Sequence, residues 1–170
     1  MPQVDIIVGS QMGSAEYVAE QLQEALEDQG FETVLHEQPN FDDCQQANWL
    51  VVTSTYGAGD YPDNLLSFIE QITAQSSLSQ LKHTVVGIGD SSYDTYNYAA
   101  KNCDALLKSK GSQSLLAPLE INVLDEALPE DTALAWLPNL IEKLADNEKD
   151  LLHRSYSQNP HILDRIVDNL

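Results

Sequence analysis

The sequence predicts a doubly wound α/β domain: five parallel strands in the order 2-1-3-4-5, with helices on both faces of the sheet. Three observations carry this. Short apolar runs of strand length alternate with stretches of helical spacing along most of the chain, the pattern of a parallel sheet whose crossovers are helices. Several of the runs are apolar throughout, as strands buried on both faces are. The three compositionally oddest stretches each follow one of these runs, at the strand ends where ligands bind in open α/β sheets.

The elements follow in order. VDIIVGS (4–10) is a continuous apolar strand ending in Gly-Ser. Ala15, Val18, Ala19, Leu22 and Leu26 keep helical spacing, with Glu16, Glu20, Glu24 and Glu27 elsewhere on the helix, until Gly30 stops it. FETVLHE (31–37) alternates as a strand does, and DDCQQA (42–47) is long enough for one helical turn. NWLVVTS (48–54) is the third strand, and residues 55–63 are loop. Asn64 reads as the cap of a helix carrying Leu65, Phe68, Ile69 and Ile72. HTVVGIGD (83–90) is the fourth strand. A helix with Ala99, Ala100, Cys103, Leu106 and Leu107 on one side follows and ends near Gly111. SLLAPLEINV (114–123) reads as one uninterrupted last strand, and a helix around residues 133–144 closes a domain spanning 1–146. Residues 147–170 read as a partly helical C-terminal extension. There Asn159-Pro160 is a good helix start, and Ile162, Leu163, Ile166, Val167 and Leu170 form an apolar stripe.

Composition narrows the function. A chain of 170 residues, 42% hydrophobic and 21% charged, suits one soluble domain. No run approaches the roughly 18 apolar residues of a membrane span. The start, MPQVDIIVGS, has no basic n-region, and Cys44 and Cys103 show no CxxC or Cys/His ligand spacing. The reading is a cytoplasmic protein with free thiols, expected as a monomer and without a metal site. Eight basic residues against 27 acidic ones give a net charge of −19, and the first Lys or Arg is Lys82. Such a surface repels nucleic acid and anionic membranes and attracts basic protein faces.

Three loops carry the chemistry. Ser10-Gln11-Met12-Gly13-Ser14-Ala15 leads directly into a helix. Its small residues let backbone N–H groups face inward, two serines add hydroxyls, and the helix N-terminus favours an anion. Together they can hold a phosphate without Lys or Arg. GxxxxGK[ST] and GxGxxG are both missing, so the turn is neither a P-loop nor a dinucleotide fingerprint. The second loop runs from Thr53 to Asn64 and contains Ser54, Thr55, Tyr56, Gly57, Ala58 and Gly59. Tyr56 is an aromatic at the tip of a core strand, and Gly57 permits a peptide flip. The third, Gly89 to Asn97, brings Asp90, Tyr93 and Tyr96; Tyr93 can cover the second face of a ring stacked on Tyr56. The four histidines (36, 83, 153 and 161) lie outside all three loops, and no nucleophilic triad is visible.

At these residues the chain resembles the flavodoxin family. GSQMGSAEYVAE resembles its phosphate-binding loop, TSTYGAGDYPDN the loop over one flavin face, and GIGDSSYDTYN the loop over the other. The resemblance spans nearly all of 3–145. It is nearest to the short-chain MioC-type members, which also read like INVLDEALPED and Trp136-Leu137. It implies bound flavin mononucleotide (FMN). Ser10, Gly13 and Ser14 would hold its phosphate, with Gln11, Met12 and Ala15 in the same loop. Tyr56 and Tyr93 would sandwich its ring, with Ser54, Thr55, Gly57, Ala58, Gly59, Gly89, Asp90 and Tyr96 around it. Met12 and Ala15 stand where many members have threonine, which implies weaker phosphate binding.

The implied function is a carrier of single electrons. Its donor would be an NADPH-dependent flavodoxin or ferredoxin reductase, and its acceptor an enzyme with a basic face. Two alternatives stand beside it: a flavin-dependent NAD(P)H quinone or nitro reductase, and a flavin-free interaction module. A phospho-receiver domain shares the topology but needs acidic residues after the first and third strands and a lysine after the fifth. Here those places read Gly9-Ser10, Thr53-Ser54-Thr55 and Asn122-Val123.

Overall fold

The computed structural model describes residues 2–10 and 13–158, with side chains to residue 148. Gln11, Met12 and the apolar stripe of 162–170 lie outside the described residues.

The strands are β1 (Gln3–Gly9), β2 (Glu32–His36), β3 (Asn48–Ser54), β4 (Lys82–Gly89), β5 (Gln113–Ser114) and β6 (Leu119–Asn122). The helices are α1 (Ser14–Asp28), α2 (Asp63–Thr73), α3 (Tyr98–Ser109) and α4 (Pro129–Gln158), with one 3-10 turn at Phe41–Asp43. All strand pairs are parallel, in the order β2-β1-β3-β4-β5, and β6 also pairs with β4. The expected 2-1-3-4-5 order is therefore the observed one.

Successive strand residues point to opposite faces, and each face has its own apolar layer. Val4, Ile6, Val8, Leu50, Val52, Val86 and Ile88 pack with α1 and α4. Ile7, Trp49, Val51 and Val85 pack with α2, α3 and the 3-10 turn. Double burial explains why the central strands read as unbroken apolar runs. Gly30 takes a φ of 90° just after α1, the left-handed turn that lets the chain leave the helix for β2.

Two local expectations are corrected. The last strand is not continuous: β5 and β6 are separate segments, and the intervening residues 115–118 face only Thr84 and Val85 of β4. Pro118 has no N–H for a ladder, and the Ser114 hydroxyl donates to the Leu116 carbonyl, closing a turn instead. The second correction concerns Asn64. Helix α2 begins at Asp63 with Pro62 in the capping position, so Asn64 lies inside the first turn and its amide is used elsewhere.

Both cysteines are buried and unpaired by disulfide, and burial pushes each thiol up to about 12. No described helix is long and apolar enough to cross a membrane. Helix α4 runs unbroken past residue 146 to Gln158.

One polar cluster lies inside the fold. His83, fully buried on β4, has its Nδ1 2.6 Å from the Ser112 hydroxyl and its Nε2 2.9 Å from Asp104. Lys108 reaches the other Asp104 oxygen at 2.9 Å. Burial lowers the His83 pKa below its ordinary 6.5, against the opposing pull of Asp104 and with the Lys108 charge. The unfolded chain therefore binds a proton here at higher pH than the native one does. The neutral imidazole's contribution to stability should be intact above about pH 7 and lost as pH falls through 6.5 and below. Denaturant midpoints measured from pH 8 to pH 5 should fall less steeply in His83→Gln than in the wild type. Equal slopes would show that His83 does not titrate on unfolding.

Candidate functional site

Parallel pairing ends β1, β3 and β4 at a common edge: Gly9 faces Thr53, and Ser54 faces Ile88. The three loops that follow converge there. Between the second and third lies a cleft of about 290 Å3 lined by Thr55, Tyr56, Gly57, Gly89, Asp90, Tyr93, Thr95, Tyr96 and Asn97. Its size is at the lower end of the roughly 300–1,000 Å3 of small-molecule pockets. A pocket of the same volume opens elsewhere, under the 3-10 turn; it lacks the paired tyrosines and the converging strand ends.

The second loop is a tight reversal. Tyr56 and Asp60 exchange backbone hydrogen bonds of 2.8 and 2.6 Å, and Gly59 N–H also donates to the Tyr56 carbonyl at 3.0 Å. Gly57 and Gly59 take φ values of 51° and 102°, which only glycine adopts at little cost. A Cβ on Gly59 would also press on the Tyr98 ring at 3.0 Å. The Thr55 hydroxyl accepts from Ala99 N–H at 3.1 Å, tying the loop to the start of α3. The Ser54 hydroxyl donates to the Gly9 carbonyl. Ser54, Ala58 and Gly59 thus shape the loop without lining the cleft.

In the third loop the Asp90 carboxylate accepts from the Ser92 N–H at 2.8 Å and its hydroxyl at 2.6 Å. These bonds hold the carboxyl below its usual range. Asn122 at the end of β6 braces the loop through Ser91 N–H and the Ser91 hydroxyl. Tyr93 then projects outward, 64% exposed, an aromatic face with room for a planar partner.

The first loop is held by Asn64. Its carbonyl accepts from Ser10 N–H at 2.9 Å, and its amide donates to the carbonyls of Val8 (2.7 Å) and Glu37 (2.8 Å). One side chain joins the end of β1, the segment after β2 and the first turn of α2. The Ser10 hydroxyl accepts from Gly13 N–H at 2.9 Å. Gly13, with φ 86°, caps the start of α1, and among the described residues nothing beyond its chain neighbours lies within 4 Å of where its Cβ would be. Ser14 is exposed, while Ala15 is buried against the sheet and offers backbone alone. Close by, Glu16 shares a hydrogen bond with Glu37, which raises its pKa along with the Glu37 charge.

Sequence reasoning missed Thr95, Asn97 and the true role of Asn64. Asn97 is fully buried at the cleft wall with φ 53°, and its Oδ1 has no hydrogen-bond partner among the described residues. That oxygen would lie 2.8 Å from a Cβ on Gly89, so glycine is needed there for close approach. Asparagine tolerates the left-handed region better than other side chains, but just ahead of a helix it reads as an ordinary cap, so nothing in the sequence marks this one.

The flavodoxin family model matches residues 6–136. The chain is 44% identical over 141 residues to a MioC homolog of Haemophilus influenzae, covering 82% of this chain and 97% of that one. It is 42% identical over 146 residues to MioC of Escherichia coli K12, covering 85% and 99%. A cysteine-to-alanine mutant of flavodoxin from Pseudomonas aeruginosa superposes with a TM-score of 0.79 at 31% identity, over 84% of this chain and 99% of that one. The chain belongs to the flavodoxin family. Membership implies a flavin cofactor and electron transfer, and the site's features fit one: serine hydroxyls at the start of α1, a tyrosine-flanked cleft, and a buried acceptor in its wall with no partner among the described residues.

Asn64→Ala should destabilise the fold by about 1–3 kcal/mol, since two carbonyls and one N–H lose their partner. Asn64→Asp keeps an acceptor for Ser10 N–H but cannot donate, and should lose a large part of the same stability. Chemical denaturation checks both; wild-type stability in the alanine variant would remove Asn64 from its bracing role.

Proposed function

We propose that the chain binds one FMN non-covalently and carries electrons singly from a reductase to an acceptor enzyme. The observation that carries this is the position of the cleft, between Tyr56 and Tyr93 at the carboxyl ends of β3 and β4, beside the switch point where β1 and β3 part, with Ser10 following the end of the neighbouring β1. Bound flavin supplies the one-electron and two-electron chemistry. The protein's part is to bind and tune. The Ser10 and Ser14 hydroxyls would donate to the phosphate at the start of α1, joined by the Gly13 N–H once it exchanges the Ser10 hydroxyl for the anion. Tyr56 and Tyr93 offer ring faces. The Gly57 carbonyl, on a residue free to change φ and ψ, can accept a hydrogen bond from a protonated ring nitrogen. The Asp60, Asp63, Asp90 and Asp94 carboxylates disfavour an extra negative charge beside them.

Purified protein should take up one FMN per chain and turn yellow. Tyr56→Ala and Tyr93→Ala should each weaken binding by about 0.5–1.5 kcal/mol or more, the scale of an aromatic stacking pair. Fluorescence titration of the apoprotein measures this, and unchanged affinity in both variants would end the sandwich assignment.

The partner reading rests on charge. Asp60, Asp63 and Asp94 are exposed beside the cleft loops, and the chain carries −19 overall. A reductase or acceptor with a basic face is steered to this edge through the association rate. Screening acts within about 8 Å at physiological salt, so reduction by a basic reductase should slow steeply as salt rises. Neutralising Asp60, Asp63 and Asp94 together should flatten that dependence, and neutralising Glu20, Glu24 and Glu27 should do much less. Stopped-flow rates decide it: matching behaviour of the two triple variants would make the acidity a general solubility property.

A further inference from the structure

A second group of chemically competent side chains lies outside the cleft. Asp5 on β1, His36 at the end of β2 and Cys44 just after the 3-10 turn have donor atoms all within 4.8 Å of one another. Asp5 is distant in sequence from His36 and Cys44, and no ligand spacing marks the three; the β1–β2 pairing and the return of the chain over this face bring them together.

We propose that Asp5, His36 and Cys44 form a three-donor binding site for a divalent zinc-like cation. An imidazole nitrogen, a thiolate sulfur and a carboxylate oxygen are the ligand types that zinc takes. A tetrahedral zinc with bonds of about 2.0–2.3 Å holds its donors roughly 3.3–3.8 Å apart, so the side chains here need only small rotations. Asp5 Oδ1 and His36 Nε2 now touch at 2.8 Å and would part to admit the ion between them.

The surroundings supply the outer support that metal ligands require. Gln46 N–H donates to the second Asp5 oxygen at 2.9 Å, fixing the carboxylate plane. Cys44 is held through its backbone on both sides: its N–H donates to the Phe41 carbonyl at 3.1 Å, and its carbonyl accepts from the Trp49 indole at 3.3 Å. Asp5 is 1% exposed and Cys44 3%, so the donors are shielded from bulk water. Cys44 nevertheless also lines the second pocket, of about 290 Å3, together with Gln45, Gln46 and Trp49. Asp5 and His36 do not line that pocket, so it reaches the group from the Cys44 side alone. Binding replaces the thiol proton by the metal, and the proton leaves to water. A buried carboxylate and a −19 chain both favour a cation.

The probe is zinc chloride, added to full-length, flavin-loaded protein, with bound metal read by elemental analysis after dialysis and affinity by competition with a chelating dye. One zinc per chain is expected. Cys44→Ala and His36→Gln should each weaken its binding at least tenfold, while Cys103→Ala and the paired change Glu16→Gln/Glu20→Gln leave it as it was. Flavin content, read from the visible spectrum of the same samples, should stay the same throughout, so the result stands apart from the flavin reading. Should Cys44→Ala fail to fold, His36→Gln at the edge strand decides alone. No retained zinc, or zinc held equally well by both ligand variants, overturns the proposal and leaves Asp5–His36 as a structural ion pair.

Discussion

The site depends on the parallel register of β1, β3 and β4. Pairing Gly9 with Thr53 and Ser54 with Ile88 ends three strands at one edge, and the loops that line the cleft are hung from those ends. Burial sets part of that register. A slip of one residue would exchange the two faces, moving Ile6, Val8, Leu50 and Val52 away from α1 and α4 and Ile7 and Val51 away from α2 and α3. With both faces apolar, the residue pattern alone specifies register weakly. The polar ties at the strand ends add what is missing. Asn64 joins β1 to the segment after β2, Ser54 joins β3 to β1, Thr55 joins β3 to α3, and Asn122 joins β6 to the loop after β4.

Those ties also prepare the site electrostatically. The chain brings no cation to its first loop, since the first basic residue, Lys82, begins β4 at the opposite edge of the sheet. An anion there must be held by backbone N–H groups and hydroxyls, which requires the loop to be rigid before it arrives. At its two described ends the loop is fixed by Gly13 in a left-handed conformation, the Ser10–Gly13 hydrogen bond and the Asn64 brace. Fixed dipoles are set in advance and need little reorganisation when charge is added. The same shortage of cations leaves the rim of the cleft acidic, so one compositional bias shapes both the interior of the site and its approach.

Most of the fold was legible because its strands carry continuous apolar runs and its helices a regular stripe. That alternation implied the parallel sheet with helices on both faces, and the strand order expected of such a fold placed the three loops at one edge. What was not legible depends on distances across the chain. Asn64 has the composition of a cap, and only the approach of Val8, Ser10 and Glu37 turns its amide into a brace. Asn97 and Thr95 stand among polar loop residues with nothing local to single them out. Pro118 could have signalled the break in the last strand, yet the flanking leucines mask it. Asp5, His36 and Cys44 are ordinary singly and meet only through the topology.

That the carboxyl edge of the sheet is a flavin site is tested most directly by a crystal structure of the protein grown with FMN. The ring is expected between Tyr56 and Tyr93, and the phosphate against the N–H groups of the turn at residues 10–14. Flavin density elsewhere on the molecule, or a cleft that stays free of flavin at saturating FMN, would contradict it.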